Sequence, residues 1–475
     1  MTSRSARALV FVTSAAVLVV EILAGRLLAP YIGVSLETFT GIIGTILAGI
    51  ALGNSVGGRL ADTRAPEKLI GTAIALGGIL VWVSLPVVSA IGRSFGTGPV
   101  AIVAFSALAF FAPAAVLSAV SPMVAKLRLT DLGHTGEVVG GLSAAGTVGA
   151  LFGSFFTGFV LVSAAPTRPV IIGLGAFLVV LGLVVGARLG GRSRPDATMA
   201  AVGLVTLAAA SLAPSPCQFE SAYFCGAVVE DVDRPSLRFL VLDDLRHAAV
   251  DLSDPTWLEF RYTNLLADVV ATAPPGPVRV LHIGGGGFTM PRYIEAVRPG
   301  SYSLVLEIDP YLVDVARNEL GLVTSDSLEV RVGDARLAAD ELETAAYDVV
   351  IGDAFASVSV PWHLTTREFV SEIARALDTD GIYAMNVIDG GSSDFARAEL
   401  ATLADVFEHV AIIVPADGVP DWPVNQILVA SHAPIREIVI DPQHGRLLGD
   451  VESYIGDADV LTDDFAPVDW LTRNR

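Results

Sequence analysis

The chain has 475 residues, 52% of them hydrophobic and only 17% charged, with a mean hydropathy of +0.61. That is too apolar for a wholly soluble protein of this length. The formal charge of −20 is split unevenly. Residues 1–214 hold 13 Lys+Arg against 7 Asp+Glu (+6), and residues 215–475 hold 17 against 43 (−26). The pattern reads as a multi-pass membrane domain over 1–214 followed by an acidic soluble part, joined near Pro214–Pro216. No basic stripe with interleaved aromatics points to nucleic acid.

Apolar stretches long enough to cross a bilayer occur at about 8–28, 39–58, 69–90, 99–120, 138–162, 169–187 and 198–214, giving an α-helical bundle of about seven spans, the last one short. The first is not a removable leader, because it contains Glu21 and further spans follow it. Gly49, Gly53 and Gly57 stand four apart, as do Gly149 and Gly153, which predicts close helix contacts. Glu21 is an ionisable group deep in a span. It reads either as a proton or cation site or as a packing residue partnered by Arg26. With a cytoplasmic N-terminus, the inner loops collect ten Lys/Arg and the outer loops only Arg26, Arg93 and Arg168. Seven spans would then place the acidic part outside. The two cysteines, Cys217 and Cys225, fit a disulfide there.

Residues 215–275 read as a small antiparallel β-sheet, carried by SAYFCGAVVED, SLRFLVLDD and HAAVDL, followed by the helical stretch 257–272. From 276 to 475, strands and helices alternate, which implies a Rossmann-like α/β domain with a mainly parallel sheet. Four segments carry its chemistry. VRVLHIGGGGF runs a buried strand into Gly284–Gly287; LVLEIDP places Glu307 at the end of a second strand; VGDA places Asp334 and Ala335 after a third; DVVIGD ends a fourth on Asp353. On a doubly wound sheet a nucleoside lies across these carboxyl ends, with glycines allowing close approach and the acid after the second strand taking ribose hydroxyls.

A small sheet, a helix, then GGGG, EIDP, GDA and a terminal Asp resemble the spermidine synthase (polyamine aminopropyltransferase) family, and the fusion behind several spans resembles bacterial proteins of that group. The resemblance implies that Glu307 holds the donor's ribose and that Asp334 with Ala335 meets the adenine edge. Gly284, Gly285 and Gly286 would pass the sulfonium tail, and Asp353 would be the general base. The donor implied is decarboxylated S-adenosylmethionine, or S-adenosylmethionine itself, as a co-substrate with no permanently bound cofactor. The acceptor implied is an amine or another small molecule. The chain departs from the family at several points. The family's acid after the third glycine is Gly287, its second loop acid falls at Ala356, its Tyr-His-Glu triplet reads Tyr262, Thr263, Asn264, and its glutamine falls near His247. The adenosine side is kept and the amine side is largely stripped. A methyltransferase and a non-catalytic ligand-binding or transport-associated membrane protein are the alternatives. The donor is made in the cytoplasm, which conflicts with an outside domain and leaves the side of the membrane open. A homo-oligomer is also left open. The seven histidines and two cysteines show no metal-ligand spacing. His363 would cover the pocket or cap the next helix, Asp309 would assist the ribose acid or start a helix, and Asp463 and Asp464 read as an acidic turn.

Overall fold

The computed structural model describes residues 1–96, 98–129, 134–190, 197–355 and 359–472. They form two compact units, Met1–Gly226 and Ala227–Arg475.

The first unit is helical. Six helices are long and apolar enough to cross a membrane: Ser3–Ile32, Leu36–Thr63, Pro66–Ser94, Pro99–Arg128, Thr135–Ala164 and Thr167–Leu189. The seventh expected span is a shorter helix, Ala197–Leu212, of 16 residues. At 1.5 Å per residue it is about 24 Å long, less than the roughly 30 Å of a hydrocarbon core. Among the described residues the seven expected stretches are thus six long helices and, as the sequence suggests for the last, one short one. The short helix still returns the chain. Arg168, at the start of the sixth helix, donates to the carbonyls of Ala210 and Ala213, and Ser89 donates to that of Pro214.

The helices begin where the sequence caps them: Thr2 and Ser35 accept from the amides of Ser5 and Thr38, and Pro66 opens the third. The spaced glycines are contact points. A Cβ on Gly53 would stand 2.1 Å from the Ala115 carbonyl, one on Gly57 2.5 Å from that of Ala119, and one on Gly149 2.2 Å from that of Phe11. Arg26 is turned to Thr167, to the carbonyls of Ser221 and Ala222, and to the Glu220 carboxylate. The unit ends in a loop closed by a Cys217–Cys225 disulfide, with β1 (Phe219–Glu220) paired to the start of β2 (Cys225–Glu230).

The second unit carries the rest of the small sheet, β3 (Leu237–Leu242) and β4 (Leu245–Asp251), in an antiparallel hairpin. The helix Arg261–Val270 follows and stops short of Pro274–Pro275. Then come β5 (Arg279–Ile283), β6 (Tyr302–Glu307), β7 (Leu328–Val332), β8 (Tyr347–Gly352), β9 (Leu377–Asp389), β10 (His409–Val414), β11 (Val424–Ser431) and β12 (Arg446–Leu447). Their order is β12-β10-β11-β9-β8-β5-β6-β7. Neighbours from β9 across to β7 are parallel, while β9, β11, β10 and β12 pair antiparallel. The inner strands are continuous buried runs, as a sheet covered on both faces requires. Strand order reverses between β5 and β8, and a doubly wound sheet opens its ligand crevice at that point.

The glycine contacts give a prediction with opposite signs. Exposed helical Gly→Ala normally stabilises by about 1 kcal/mol, and Gly58, whose added Cβ would meet nothing within 4 Å, should follow that rule. Gly53→Ala should instead lower the unfolding temperature of the detergent-solubilised chain by several degrees, since overpacking typically costs about 1–3 kcal/mol. Equal effects at the two positions would refute close packing at Gly53.

Candidate active site

At the switch point three backbone hydrogen bonds tie the carboxyl ends of four strands together. Gly284 N–H donates to Leu306 O, Gly333 N–H to Glu307 O and Asp353 N–H to Ile283 O, all at 2.9 Å. The turn after β5 needs glycine at two places. Gly284 has φ +93°, and its added Cβ would lie 2.5 Å from the Asp353 carbonyl; a Cβ on Gly285 would meet the Phe288 ring at 2.8 Å and Glu307 Oε2 at 3.1 Å.

Glu307 is 5% exposed at the end of β6. Its Oε2 accepts from Gly285 N–H at 2.8 Å and Gly286 N–H at 3.3 Å, and its Oε1 accepts from Asp309 N–H at 2.9 Å. The carboxylate therefore shapes the glycine loop. Burial pushes its pKa upward against those three hydrogen bonds. Asp309, buried beside it, accepts from Tyr311 N–H and starts the helix Pro310–Glu319.

Asp334 accepts from Arg336 N–H at 2.8 Å and so caps the short helix Ala335–Ala339, with Ala335 buried in its first position. His363 does not cap the following helix, which Thr366 opens; its Nε2 lies 3.5 Å from Asp334 Oδ1. Asp463 accepts from Arg336 at 2.6 Å and from the Thr366 hydroxyl at 2.7 Å, which makes it a structural acid.

Asp353 follows β8 directly. Its Oδ1 accepts from Asn386 Nδ2 at 2.8 Å, and the Tyr262 hydroxyl also bonds to its carboxylate. Asn386 is oriented in turn by Asn425 Nδ2, which donates to its Oδ1 at 3.0 Å from the adjacent strand. Burial raises the Asp353 carboxyl to about 6, partly offset by hydrogen bonds from Asn386 and Tyr262. A carboxylate with that value is mostly ionised at pH 7–8 yet basic enough to take a proton, the range suited to general-base work.

The amine side differs from the family pattern for a steric reason. A Cβ on Gly287 would meet Ala248 Cβ at 2.6 Å and Val250 at 2.9 Å, so β4 closes over the position where an acid would stand. Asn264 is turned to the carbonyls of Leu258 and Phe260, and Thr263 to Phe260, so neither serves the crevice. His247 on β4 is pushed down to about 4 by burial and is neutral near pH 7. Ala356 lies outside the described residues. Sequence reading placed Gly284–Gly286, Glu307 and Asp353 together at the switch point but missed Asn386 and Asn425, and it saw Tyr262 only as the first member of a broken triplet.

Residues 259–413 match the spermine/spermidine synthase domain. The polyamine aminopropyltransferase of Vibrio vulnificus is 33% identical over 135 residues, 28% of this chain and 44% of that protein. That of Chromobacterium violaceum is 27% identical over 192 residues, 40% of this chain and 71% of that protein. The chain thus spans about half the length of the curated relatives it matches. A probable spermidine synthase from Corynebacterium glutamicum superposes with a TM-score of 0.50 at 26% identity, over 54% of this chain and 98% of that one.

The raised Asp353 carboxyl has a stability consequence. With an ordinary value near 3.8 and a folded value of about 6, the folded state holds the proton more tightly. Its contribution is full below about pH 4 and is lost as pH rises through 6. Asp353→Asn removes the penalty of an ionised, partly buried acid. The variant should be more stable than the parent at pH 8 by about 1–3 kcal/mol, with the difference closing toward pH 4–5. Unfolding temperatures across that range check this; a difference independent of pH would contradict it.

Proposed function

We propose that this chain, whose residues 259–413 match the spermine/spermidine synthase domain, is a membrane-anchored aminopropyltransferase that uses decarboxylated S-adenosylmethionine. The observation that carries the reading is the convergence of the glycine turn, Glu307 and a basic Asp353 at one switch point. Glu307 keeps lone pairs beyond its three backbone donors, and these accept the ribose hydroxyls; Asp334 and Ala335 take the adenine edge. The acceptor amine attacks the propyl carbon next to sulfur. The new N–C bond forms as the C–S bond breaks, its electrons pass to sulfur, and the sulfonium leaves as a neutral thioether. Asp353 first draws the ammonium in and then receives its proton, while Asn386 and Tyr262 hold the carboxylate in place.

The acceptor follows from how the acids are used. Glu307, Asp309, Asp334 and Asp389 each accept backbone N–H groups, and Gly287 carries no side chain. Among the described acids at the ends of these strands, Asp353 is then the one left to meet an amine, which suits an acceptor with a single charge inside the crevice better than a diamine clamped at both ends.

Six long apolar helices support membrane anchoring. The short helix Ala197–Leu212 ends beside Arg168, at the cation-poor end of the bundle, and the positive-inside bias makes that end the outer one. The Cys217–Cys225 disulfide agrees, because disulfides persist in oxidising compartments. These two observations favour a second reading, in which the domain binds an adenosyl or amine ligand outside the cytoplasm without turnover.

The full chain in mild detergent, given decarboxylated S-adenosylmethionine and a panel of mono- and diamines, separates the readings by mass spectrometry of the products. Aminopropylated product is expected, with monoamines used at least as well as putrescine. Asp353→Asn should lose about 10²–10⁴ in rate with donor affinity within a few-fold of the parent. Tight donor binding with no product from any amine would favour the second reading. Full turnover in Asp353→Asn would exclude Asp353 as the base.

A further inference from the structure

The helical unit holds a cavity of about 220 Å³ at the end of the bundle where the first helix begins. It is formed by the start of the helix Ser3–Ile32, the end of Pro99–Arg128 and the start of the helix Thr135–Phe156. Among the described residues, Arg7, Arg128 and His134 line it, against one carboxylate, Glu137. Arg7 is held in place: a Cβ on Gly141 would stand 2.9 Å from its Nη2 and 3.1 Å from its Nε, so the guanidinium lies directly on the glycine backbone. Arg128 Nη1 donates to the Met1 carbonyl at 3.2 Å.

Two helices also present their N-terminal ends to this cavity. Each carries a partial positive charge of roughly one half, and the first has no acid in its opening turn. Two fixed guanidiniums and two helix ends outweigh one carboxylate. Ala6, Val138 and Leu142 add apolar surface to the lining. Arg4 lies in the first turn of Ser3–Ile32, and Arg128 and Lys126, the latter paired with Asp62, lie in the last turn of Pro99–Arg128.

We infer that this cavity binds a phosphate-bearing anion, with the guanidiniums on the phosphate oxygens and the apolar part of the lining against an attached chain, as in the headgroup of an anionic phospholipid. Arginine suits that role because its planar fork meets phosphate oxygens in pairs, and basic pockets between spans on the cytoplasmic side are suited to such headgroups. The lipid form rests on the membrane reading above; the anion site does not.

The test uses the full chain in neutral detergent, with unfolding temperature followed as phosphatidylglycerol, phosphatidylcholine or inorganic phosphate is added. Phosphatidylglycerol should raise it by several degrees and phosphatidylcholine should not. Arg7→Gln with Arg128→Gln should abolish the rise, and Glu137→Gln, which removes the competing carboxylate, should enlarge it. An equal rise with inorganic phosphate would support the site and assign it to a soluble anion. The proposal is overturned if phosphatidylglycerol acts no differently from phosphatidylcholine, or if Glu137→Gln leaves the rise unchanged. If the double variant does not fold, the Glu137→Gln comparison and native mass spectrometry of lipid retained by the parent still decide it. Carbonate extraction of cell membranes tests the membrane reading separately. A chain retained in membranes but indifferent to phosphatidylglycerol would sink the site alone.

Discussion

The Glu307 carboxylate is the interaction on which the ligand end of the C-terminal domain depends. A charge that is 5% exposed is costly unless it is hydrogen-bonded, and here three backbone N–H groups meet it. Two come from the glycine turn and one from the turn after β6, so one side chain sets the shape of both. Gly285 must be glycine because a side chain would strike the ring of Phe288 and the carboxylate itself. Gly284 must be glycine because the β8 turn passes against it. The turns at the switch point are thus organised around a buried acid, and a ligand bound there would meet them already ordered.

Asp353 shows the opposing demand. Its carboxylate sits where burial raises its pKa to about 6, so at neutral pH the charged form is a burden on the fold. Asn386, Asn425 and Tyr262 reduce that burden without removing it. Proteins commonly carry destabilised groups where chemistry needs them, and this network has that character. The acidity of residues 215–475, at −26, favours the approach of cations.

The parts of the site readable from the sequence were those set by local constraints. A buried strand entering four glycines, an acid at the end of the next strand and Asp353 after β8 each need only their own segment to be recognised. The helix-packing glycines were legible for the same reason, as a four-residue spacing on one helix face. The residues that orient Asp353 were not, because Asn386 meets it only through the pairing of β9 with β8, Asn425 meets Asn386 only through the pairing of β9 with β11, and Tyr262 reaches Asp353 only through the packing of a distant helix. Local spacing cannot show which oxygen a remote amide will reach. The closure of β4 over Gly287 was hidden likewise: the sequence shows a missing acid, but only the fold shows that Ala248 and Val250 leave no room for one. The seventh stretch, already short in the sequence, is a helix of 16 residues, Ala197–Leu212.

We propose that a nucleoside lies across the β5–β8 switch point with its ribose on Glu307 and its sulfur at the Gly284–Asp353 crossing. A cryo-electron-microscopy map of the full chain with methylthioadenosine, the thioether left after aminopropyl transfer, tests it most directly. The account requires density at the carboxyl ends of β5, β6 and β8, with ribose oxygens within hydrogen-bond distance of the Glu307 carboxylate and the thioether facing Asp353. A ligand bound elsewhere on the domain, or an empty crevice at saturating methylthioadenosine, would contradict it.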